Sequence, residues 1–263
     1  RPWRRLNYRQ TRELVGRLAQ ALLNRPLPAD KPVVVLSDNS IDHALLALAA
    51  MHVGRPICTV SSAYSRLTKD HGKICSILDT LDPALVYAAD PAVYGPAINA
   101  WGAARRGVPV VFSSNAAAFP GALSFGSLLD TVETPAVMQH YHAIRPDDVA
   151  KLLLTSGSTG TPKVAINSHR MLTANQQQMT QVWPFLSRHP LRLLEWLPWS
   201  HTFGANHNFN MVLAHGGSLA IDDLGYDRSH PRWLGTVLAP QPNRRADGSI
   251  GPVIPERILT RAP

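Results

Sequence analysis

Short apolar runs rich in β-branched residues alternate along this chain with longer segments that have helical spacing, and this alternation constrains the fold. Residues 8–25 carry leucines at a spacing that predicts a helix, and the run at 33–36 predicts a buried strand. The same patterns predict strands at 57–60, 85–88 and 108–112, and helices at 41–53, 69–81 and 91–106. We therefore expect an α/β fold in which helices form layers on a parallel sheet.

Two polar segments predict helix starts. The sequence SDNS follows the strand at 33–36, so Asp38, Asn39 or Ser40 is expected to cap the next helix rather than to contact a ligand. Ser168 is expected to cap a helix that begins near His169. A glycine pair at 216–217 predicts a turn into the strand SLAI.

Composition narrows the class of protein. With 263 residues and 45% apolar content, the chain can bury a core, and no apolar run is long enough to span a membrane. Its first ten residues are charged and no apolar segment follows them, so we expect a cytoplasmic protein without a secretory signal or membrane partner. Cys58 and Cys75 have neither metal nor redox spacing and are expected to be reduced core thiols.

The formal net charge of +8 raises the question of nucleic-acid binding. The Lys and Arg residues are scattered, and no basic stripe is interleaved with aromatic residues. We therefore expect no nucleic-acid partner, because an anionic small molecule accounts for the charge equally well.

The segment TSGSTGTPK, from Thr155 to Lys163, has the composition of a phosphate-binding loop. Glycines allow backbone N–H groups to approach an anion, hydroxyls donate hydrogen bonds, and a lysine adds a mobile positive charge. The candidate residues are Thr155, Ser156, Gly157, Ser158, Thr159, Gly160, Thr161 and Lys163. Apolar runs on both sides predict that the loop joins two strands, and its spacing differs from that of a Walker loop. The alternative is a polar hairpin turn that binds nothing.

A second segment, LPWSHTFG, spans Leu197–Gly204 and predicts a rigid turn with aromatic walls. His201 lies between Trp199 and Phe203, so the three side chains could line a pocket. The alternative is a hydrophobic loop whose histidine bonds a backbone carbonyl. No metal is assigned, because metal-ligand spacing is absent among His201, His207 and His215.

The two segments, in this order, resemble the phosphate-binding and acyl-pocket motifs of the adenylate-forming superfamily, which includes acyl-CoA synthetases, peptide-synthetase adenylation domains and luciferases. The resemblance runs from Trp3 to Asp223. Within the superfamily, VVVLSDNS, CTVSSAYSRLTKD, ANQQQM and WLPWSHTFGANHNFN are most similar to feruloyl-CoA synthetases. The resemblance implies a layered, parallel-sheet N-terminal part of such an enzyme, incomplete at its C-terminal side.

The resemblance also implies a reaction and its participants. A small-molecule carboxylic acid attacks the α-phosphorus of MgATP to give an acyl adenylate, and coenzyme A then displaces AMP. ATP, Mg²⁺ and coenzyme A are the implied cofactors, and the 155–163 loop would hold the β and γ phosphates. Trp199, His201 and Phe203 would border the acyl cavity, with His201 as the candidate catalytic residue.

The chain departs from the superfamily after Asp223. No segment there matches the later motifs for adenine, Mg²⁺ and ribose, or the C-terminal catalytic lysine, and the proline-rich residues 226–263 predict coil. Two hypotheses are a reading frame lost after AIDD and a short gene product. Because the chain begins at Arg1 without Met, a fragment at both ends is also expected.

The predicted organisation has three parts: a first α/β subdomain at 1–150, a phosphate-loop and acyl-pocket segment at 151–225, and an irregular tail at 226–263. Three functional hypotheses stay open. The chain is part of a feruloyl-CoA-synthetase-like ligase, part of a synthetase for fatty or other aryl acids, or a non-catalytic nucleotide or acyl-acid binding module. In each case we expect no turnover by this polypeptide alone.

Overall fold

The computed structural model describes residues 4–68, 70–155 and 162–221, together with the pairs 243–244 and 250–251. Within these ranges the helices are α1 (Tyr8–Leu23), α2 (Ile41–His52), α3 (Ala63–Arg66), α4 (Gly72–Leu81), α5 (Pro91–Trp101), α6 (Phe125–Leu129), α7 (Pro135–Ala143), α8 (His169–Val182) and α9 (Asn210–Ala214). The strands are β1 (Val33–Val35), β2 (Ile57–Thr59), β3 (Leu85–Ala88), β4 (Val110–Phe112), β5 (Leu123–Ser124), β6 (Val149–Thr155), β7 (Lys163–Ser168), β8 (Arg192–Glu195), β9 (Ser218–Ile221), β10 (Asn243–Arg244) and β11 (Ile250–Gly251). Shorter 3₁₀ turns occur at Ala116–Ala118 and Pro184–Ser187, and a π-helical segment at Phe203–Phe209.

A mostly parallel sheet of seven strands organises the described residues, in the order β5-β4-β3-β1-β2-β6-β7. Only β7 in this sheet runs antiparallel to its neighbour, β6. The predicted α/β fold is therefore confirmed. The prediction that the 155–163 loop joins two strands is also confirmed, because β6 and β7 form an antiparallel hairpin around it.

Element ends differ from the predicted ones for local reasons. The strand predicted at 108–112 begins at Val110, because the Val108 N–H bonds Ala103 in the preceding turn and Pro109 has no N–H to donate. The helix predicted to reach residue 106 ends at Trp101, because Gly102 takes a left-handed conformation (φ 79°) and caps it. Ser40 and Ser168 are confirmed as caps, since their side chains accept from backbone N–H groups of His43 and Met171.

The sheet is covered on both faces, and alternate strand residues enter opposite cores. Val33, Val35, Leu85 and Tyr87 belong to the core beneath α1, α2, α6 and α7. The residues between them belong to the core beneath α4 and α5, namely Val34, Leu36, Val86 and Ala88. This burial on both sides explains why the strands are continuous apolar runs rather than alternating ones.

A smaller parallel pair, β8 and β9, packs on α2 rather than joining the main sheet. Its core contains Trp199, Phe209 and Ile221, which contact Ile41, Ala44 and Leu48 of α2. The predicted turn before SLAI is confirmed, with Gly216 at φ 63°. Helix α2 therefore lies between the main sheet and the segment that carries the second motif.

The predicted division at residues 150 and 225 stays a prediction. Most of the predicted tail at 226–263 lies outside the described residues, apart from the antiparallel pair β10 and β11. In the part of the chain that is described, no helix has both the length and the apolar composition needed to cross a bilayer.

Candidate functional site

The base of the candidate phosphate loop is the end of the β6–β7 hairpin. Thr155 and Lys163 are register partners, and the Thr155 hydroxyl donates to the Lys163 carbonyl at 3.3 Å. Both residues are exposed, so the Lys163 amine can reach an anion in solution. The six residues between Thr155 and Pro162, namely Ser156, Gly157, Ser158, Thr159, Gly160 and Thr161, lie outside the described residues.

The second motif is held in place by a residue far from it in sequence. The Asn39 side chain donates from Nδ2 to the Leu197 carbonyl at 2.8 Å and accepts on Oδ1 from the Trp199 N–H at 2.9 Å. One amide thus satisfies both a backbone donor and a backbone acceptor of the 197–199 segment. Asn39 was one of three candidates for the helix cap; Ser40 is the cap, and Asn39 joins the start of α2 to this segment.

The Trp199 side chain faces inward. It is 4% exposed, packs edge-on against His43 with ring centres 4.9 Å apart, and contacts Phe209 at 4.7 Å. The turn around it is tight, because a Cβ at Gly204 would lie 2.8 Å from the carbonyl oxygens of both Leu197 and Pro198. Only glycine fits at position 204 without moving backbone.

Buried His43 supports Trp199 as a neutral imidazole. Desolvation lowers the pKa of His43 to about 4. Its Nδ1 lies 3.3 Å from the Asp38 carbonyl, which can only accept, so Nδ1 carries the proton. Its Nε2 then accepts from the Thr59 hydroxyl at 3.0 Å. The ring thus connects β2, α2 and the second motif.

A cleft of about 330 Å³ opens between α8 and the π-helical segment. It is lined by Asn167, Met171, Leu172, Asn175, Thr202, Phe203, Asn206 and His207. Phe203 and His207 form one wall, with their rings 4.5 Å apart and nearly parallel at 9°. The cleft therefore combines a flat aromatic surface with several amide groups.

The structure brings together only some of the predicted pocket residues. Phe203 lines the cleft and is 54% exposed. Trp199 lies behind the motif in the core, and the exposed His201 is outside the set that lines the cleft. Among the described residues the clearest interactions of His201 are those of its backbone, which accepts from Ala205 and donates to Pro198.

Glu195 is a buried carboxyl group at the end of β8, two residues before the second motif begins at Leu197. It has no exposed surface, and its Oε1 accepts from the Leu197 N–H at 2.9 Å and from Asn208 Nδ2 at 3.3 Å. Burial raises the pKa of Glu195, while these hydrogen bonds oppose the rise. Glu195 and Asn39 together set the backbone of the turn.

The sequence contains a signal for Glu195 that our predictions did not use. A charged residue inside an apolar strand run is a candidate for a special role, since such residues are seldom fully buried. Glu195 lies in LLEWL, and Lys151 lies in VAKLLL. No comparable local signal exists for Asn39, because its partners lie far along the chain.

Comparison with known proteins identifies the family. The model of the family described as AMP-binding enzyme matches residues 1–243 of this chain. The chain belongs to the AMP-binding enzyme family. The match continues past Asp223, the residue at which the motif-based resemblance ended.

Several AMP-binding relatives have similar sequences. 4-Coumarate–CoA ligase 3 of Oryza sativa subsp. japonica is 34% identical over 122 residues, which are 45% of this chain and 21% of the relative. The nonribosomal peptide synthetase gliP of Aspergillus fumigatus is 31% identical over 151 residues, or 57% of this chain and 7% of the relative. The inactive atromentin synthetase invA6 of Paxillus involutus is 34% identical over 86 residues, which are 33% of this chain and 9% of the relative.

Solved structures share the fold of this chain. ATP-bound MatB from Rhodopseudomonas palustris has a TM-score of 0.65 at 24% identity and matches 86% of this chain and 42% of its own. A putative long-chain-fatty-acid CoA ligase from Rhodopseudomonas palustris has a TM-score of 0.69 at 20% identity. The match covers 88% of this chain and 54% of that ligase. The chain thus spans about half, or less, of the proteins that it resembles.

The residues present can be tested against the ligands that the family implies. Lys163 at the exit of the loop suits a phosphate tail, since it is an exposed amine at a fixed hairpin end. For Mg²⁺ the described part of the chain offers no group of three or more His, Cys, Asp or Glu side chains. Residues that would hold the metal are therefore not assigned.

Proposed function

We propose that this chain is the N-terminal part of an ATP-dependent carboxylate–CoA ligase for aryl acids of the feruloyl type. The intact enzyme would form an acyl adenylate and pyrophosphate from the acid and ATP, and then an acyl-CoA thioester. The observation that carries the aryl preference is the parallel stack of Phe203 and His207 along the cleft. A planar aromatic acid can extend such a stack, whereas a flexible aliphatic chain gains less from it.

One relative supports this class of acid. By its name, it is a ligase that joins 4-coumarate to CoA. Others are peptide synthetases, and one structural neighbour is a putative fatty-acid CoA ligase. The alternatives are therefore a synthetase for fatty or other aryl acids, and a non-catalytic module that binds nucleotide or acyl acid.

Each part of the site has a proposed role. Lys163 and the hydroxyls and backbone N–H groups of 155–161 would hold the β and γ phosphates and stabilise the charge on departing pyrophosphate. Phe203 would bind the ring of the acid. Trp199, which is buried in the core, would hold the turn in place without contacting the acid. His201 would lie near the adenylate carbonyl. Mg²⁺ and coenzyme A remain implied by the family. A cytoplasmic location without nucleic-acid or membrane partners remains a proposal from the sequence pattern alone.

We further propose that the polypeptide does not turn over alone. The reason is that the motifs implied for adenine, ribose and the closing lysine have no match after Asp223. The chain should still bind an aryl acid, because β7, α8 and the π-helical segment supply most of the residues that line the cleft.

Two measurements on the purified chain test these proposals. The first is equilibrium binding of ferulate and octanoate to the wild type and to Phe203→Ala, with Tyr141→Ala as a control at another exposed aromatic residue. Ferulate should bind more tightly than octanoate, and Phe203→Ala alone should weaken it. Absence of ferulate binding would overturn the proposed function, and preference for octanoate would favour the fatty-acid alternative.

The second measurement is ATP–pyrophosphate exchange with Mg²⁺ and ferulate, beside Lys163→Ala. No exchange is expected. Exchange that depends on ferulate and disappears in Lys163→Ala would show that the chain forms adenylate by itself.

A further inference from the structure

Lys151 is a buried lysine on β6, the last strand but one of the main sheet. It lies on β6 between Ile57 of β2 and Asn167 of β7, and only 6% of it is exposed. Among the described residues it has neither an ion pair nor a hydrogen bond from its side chain. Desolvation lowers its pKa to about 8. An ammonium group in such a place is unfavourable unless something accepts its hydrogen bonds.

Two hydrogen-bond acceptors without donors are connected to Asn167, the register partner of Lys151. Asn167 accepts a hydrogen bond from Asn206 Nδ2 at 3.0 Å. The Asn206 Oδ1 is buried and has no donor in the described part of the molecule, and the same holds for Gln176 Oε1. Gln176 is 7% exposed and is tied to this group, because its Nε2 donates to the Asn206 carbonyl at 2.9 Å.

These groups adjoin the cleft. Asn167 and Asn206 both line it, and directly paired residues on neighbouring strands have Cβ atoms about 5 Å apart on the same face of the sheet. Lys151 is therefore one side chain away from the cleft, behind Asn167. The Lys151 donor and the unpaired Asn206 acceptor are thus linked through Asn167, which pairs with Lys151 in the sheet and bonds Asn206 at the edge of the cleft.

A single hydroxyl group can satisfy the Lys151 amine and the Asn206 amide oxygen, because a hydroxyl accepts from an amine and donates to an amide oxygen. Resting on the proposed function, we propose that Lys151 and Asn206 form a specificity site for a hydroxyl on the acid substrate, at the end remote from the reacting carboxylate. Neither residue takes part in the chemistry; both select the acid.

The position along β6 explains why the remote end is bound. Lys151 precedes Thr155 by four residues, and a strand rises by about 3.3 Å per residue, so Lys151 lies roughly 13 Å from the base of the phosphate loop. The reacting carboxylate must lie at the loop. A hydroxyl in the para position of a cinnamate-type acid is the group farthest from that carboxylate, so the proposal places it at Lys151.

A purely structural role is the competing explanation. Ordered water between Lys151 and Asn206 would satisfy both groups without any ligand. In that case the two residues would not distinguish acids with and without a hydroxyl, and the two explanations predict different binding.

The test is equilibrium binding of three acids to the full chain: cinnamate, 4-methoxycinnamate and 4-hydroxycinnamate. The hydroxyl should strengthen binding relative to cinnamate by about 10- to 100-fold, the range for a hydrogen bond to a charged group. The methoxy acid should lie between the two, because its oxygen accepts but cannot donate. In Lys151→Met the advantage of both oxygenated acids should shrink while cinnamate binds as before. Lys31→Met, at a surface lysine paired with Asp82, is the matched control.

A second readout requires no variant. Acylation of the Lys151 amine, followed by peptide mass mapping, should be slowed by 4-hydroxycinnamate and not by an equally saturating amount of cinnamate. Failure of the wild type to bind any of the acids overturns the proposed function and this assignment with it. Binding without preference for the hydroxyl, or a preference that persists in Lys151→Met, overturns the assignment alone.

Discussion

The Asn39 side-chain oxygen accepts a hydrogen bond from the Trp199 N–H at 2.9 Å, although 160 positions separate the two residues in the chain. The Asn39 amide nitrogen donates at 2.8 Å to Leu197, on the same stretch of backbone. The Asn39 amide thus pairs with one backbone carbonyl and one backbone N–H of the 197–199 segment, as a neighbouring strand would in a sheet. Through it the start of α2 determines where one wall of the cleft begins.

Asn39→Ala should destabilise the protein by about 1–3 kcal/mol, because a partly buried N–H and a carbonyl lose their partner. We also expect faster proteolysis within residues 197–209. Urea unfolding and limited proteolysis measure these two effects. Asn99→Ala, at an exposed position of α5, is the control and should change neither. Equal stability of Asn39→Ala and the wild type would show that water replaces the amide at no cost.

Gly204→Ala should lower stability by about 1–3 kcal/mol, because the added methyl group would stand 2.8 Å from two carbonyl oxygens and force the backbone apart. Thermal unfolding measures the loss. Gly126→Ala provides the matched control: it lies in α6 with its nearest neighbour 3.4 Å away, and helix propensity favours alanine there. If both variants melt alike, the turn tolerates a larger opening than its geometry implies.

Lys151→Met should stabilise the unliganded protein at neutral pH. Burial lowers the pKa of Lys151 to about 8 in the folded state, compared with 10.5 for the unfolded chain. Between these values the unfolded state binds more protons, so the stability of the wild type rises with pH. The advantage of the variant, on the order of 3 kcal/mol at pH 7, should therefore shrink from pH 8 to 10. Denaturant titrations of both proteins across this range measure the difference, and a constant difference would contradict the burial of a charged amine.

Acid should destabilise the protein partly through His43. The folded pKa of about 4 lies below the ordinary value of 6.5, so the unfolded state binds more protons between them and stability falls as pH falls through that window. The loss from this one group should approach 3 kcal/mol at pH 4. His43→Gln should show a weaker pH dependence from 6.5 to 4 in the same titration. His142→Gln, at an exposed histidine, should follow the wild type.

Sequence periodicity and local chemistry were sufficient to predict most helices and strands and to indicate the superfamily. Helix caps and the Gly216 turn depend on contacts within a few residues, so Ser168 could be assigned as a cap directly and Ser40 as one of three candidates. Element ends were less accurate where one residue decides them, as at Pro109 and Gly102. The two ordered motifs indicated the superfamily for a similar reason, since each is a continuous segment.

The site depended on pairings between distant segments. Whether Trp199 faces a ligand or the core follows from the position of α2, and Asn39 gained its role only because the fold brings residue 39 beside residue 197. The sequence marks Lys151 only as a charged residue inside an apolar run, and its burial without an ion pair among the described residues follows from the strands on either side of it. Sequence patterns thus indicated which segments carry the chemistry, while sheet order and helix packing determined which side chains meet, because hydrogen bonds and burial act between residues that are neighbours only after folding.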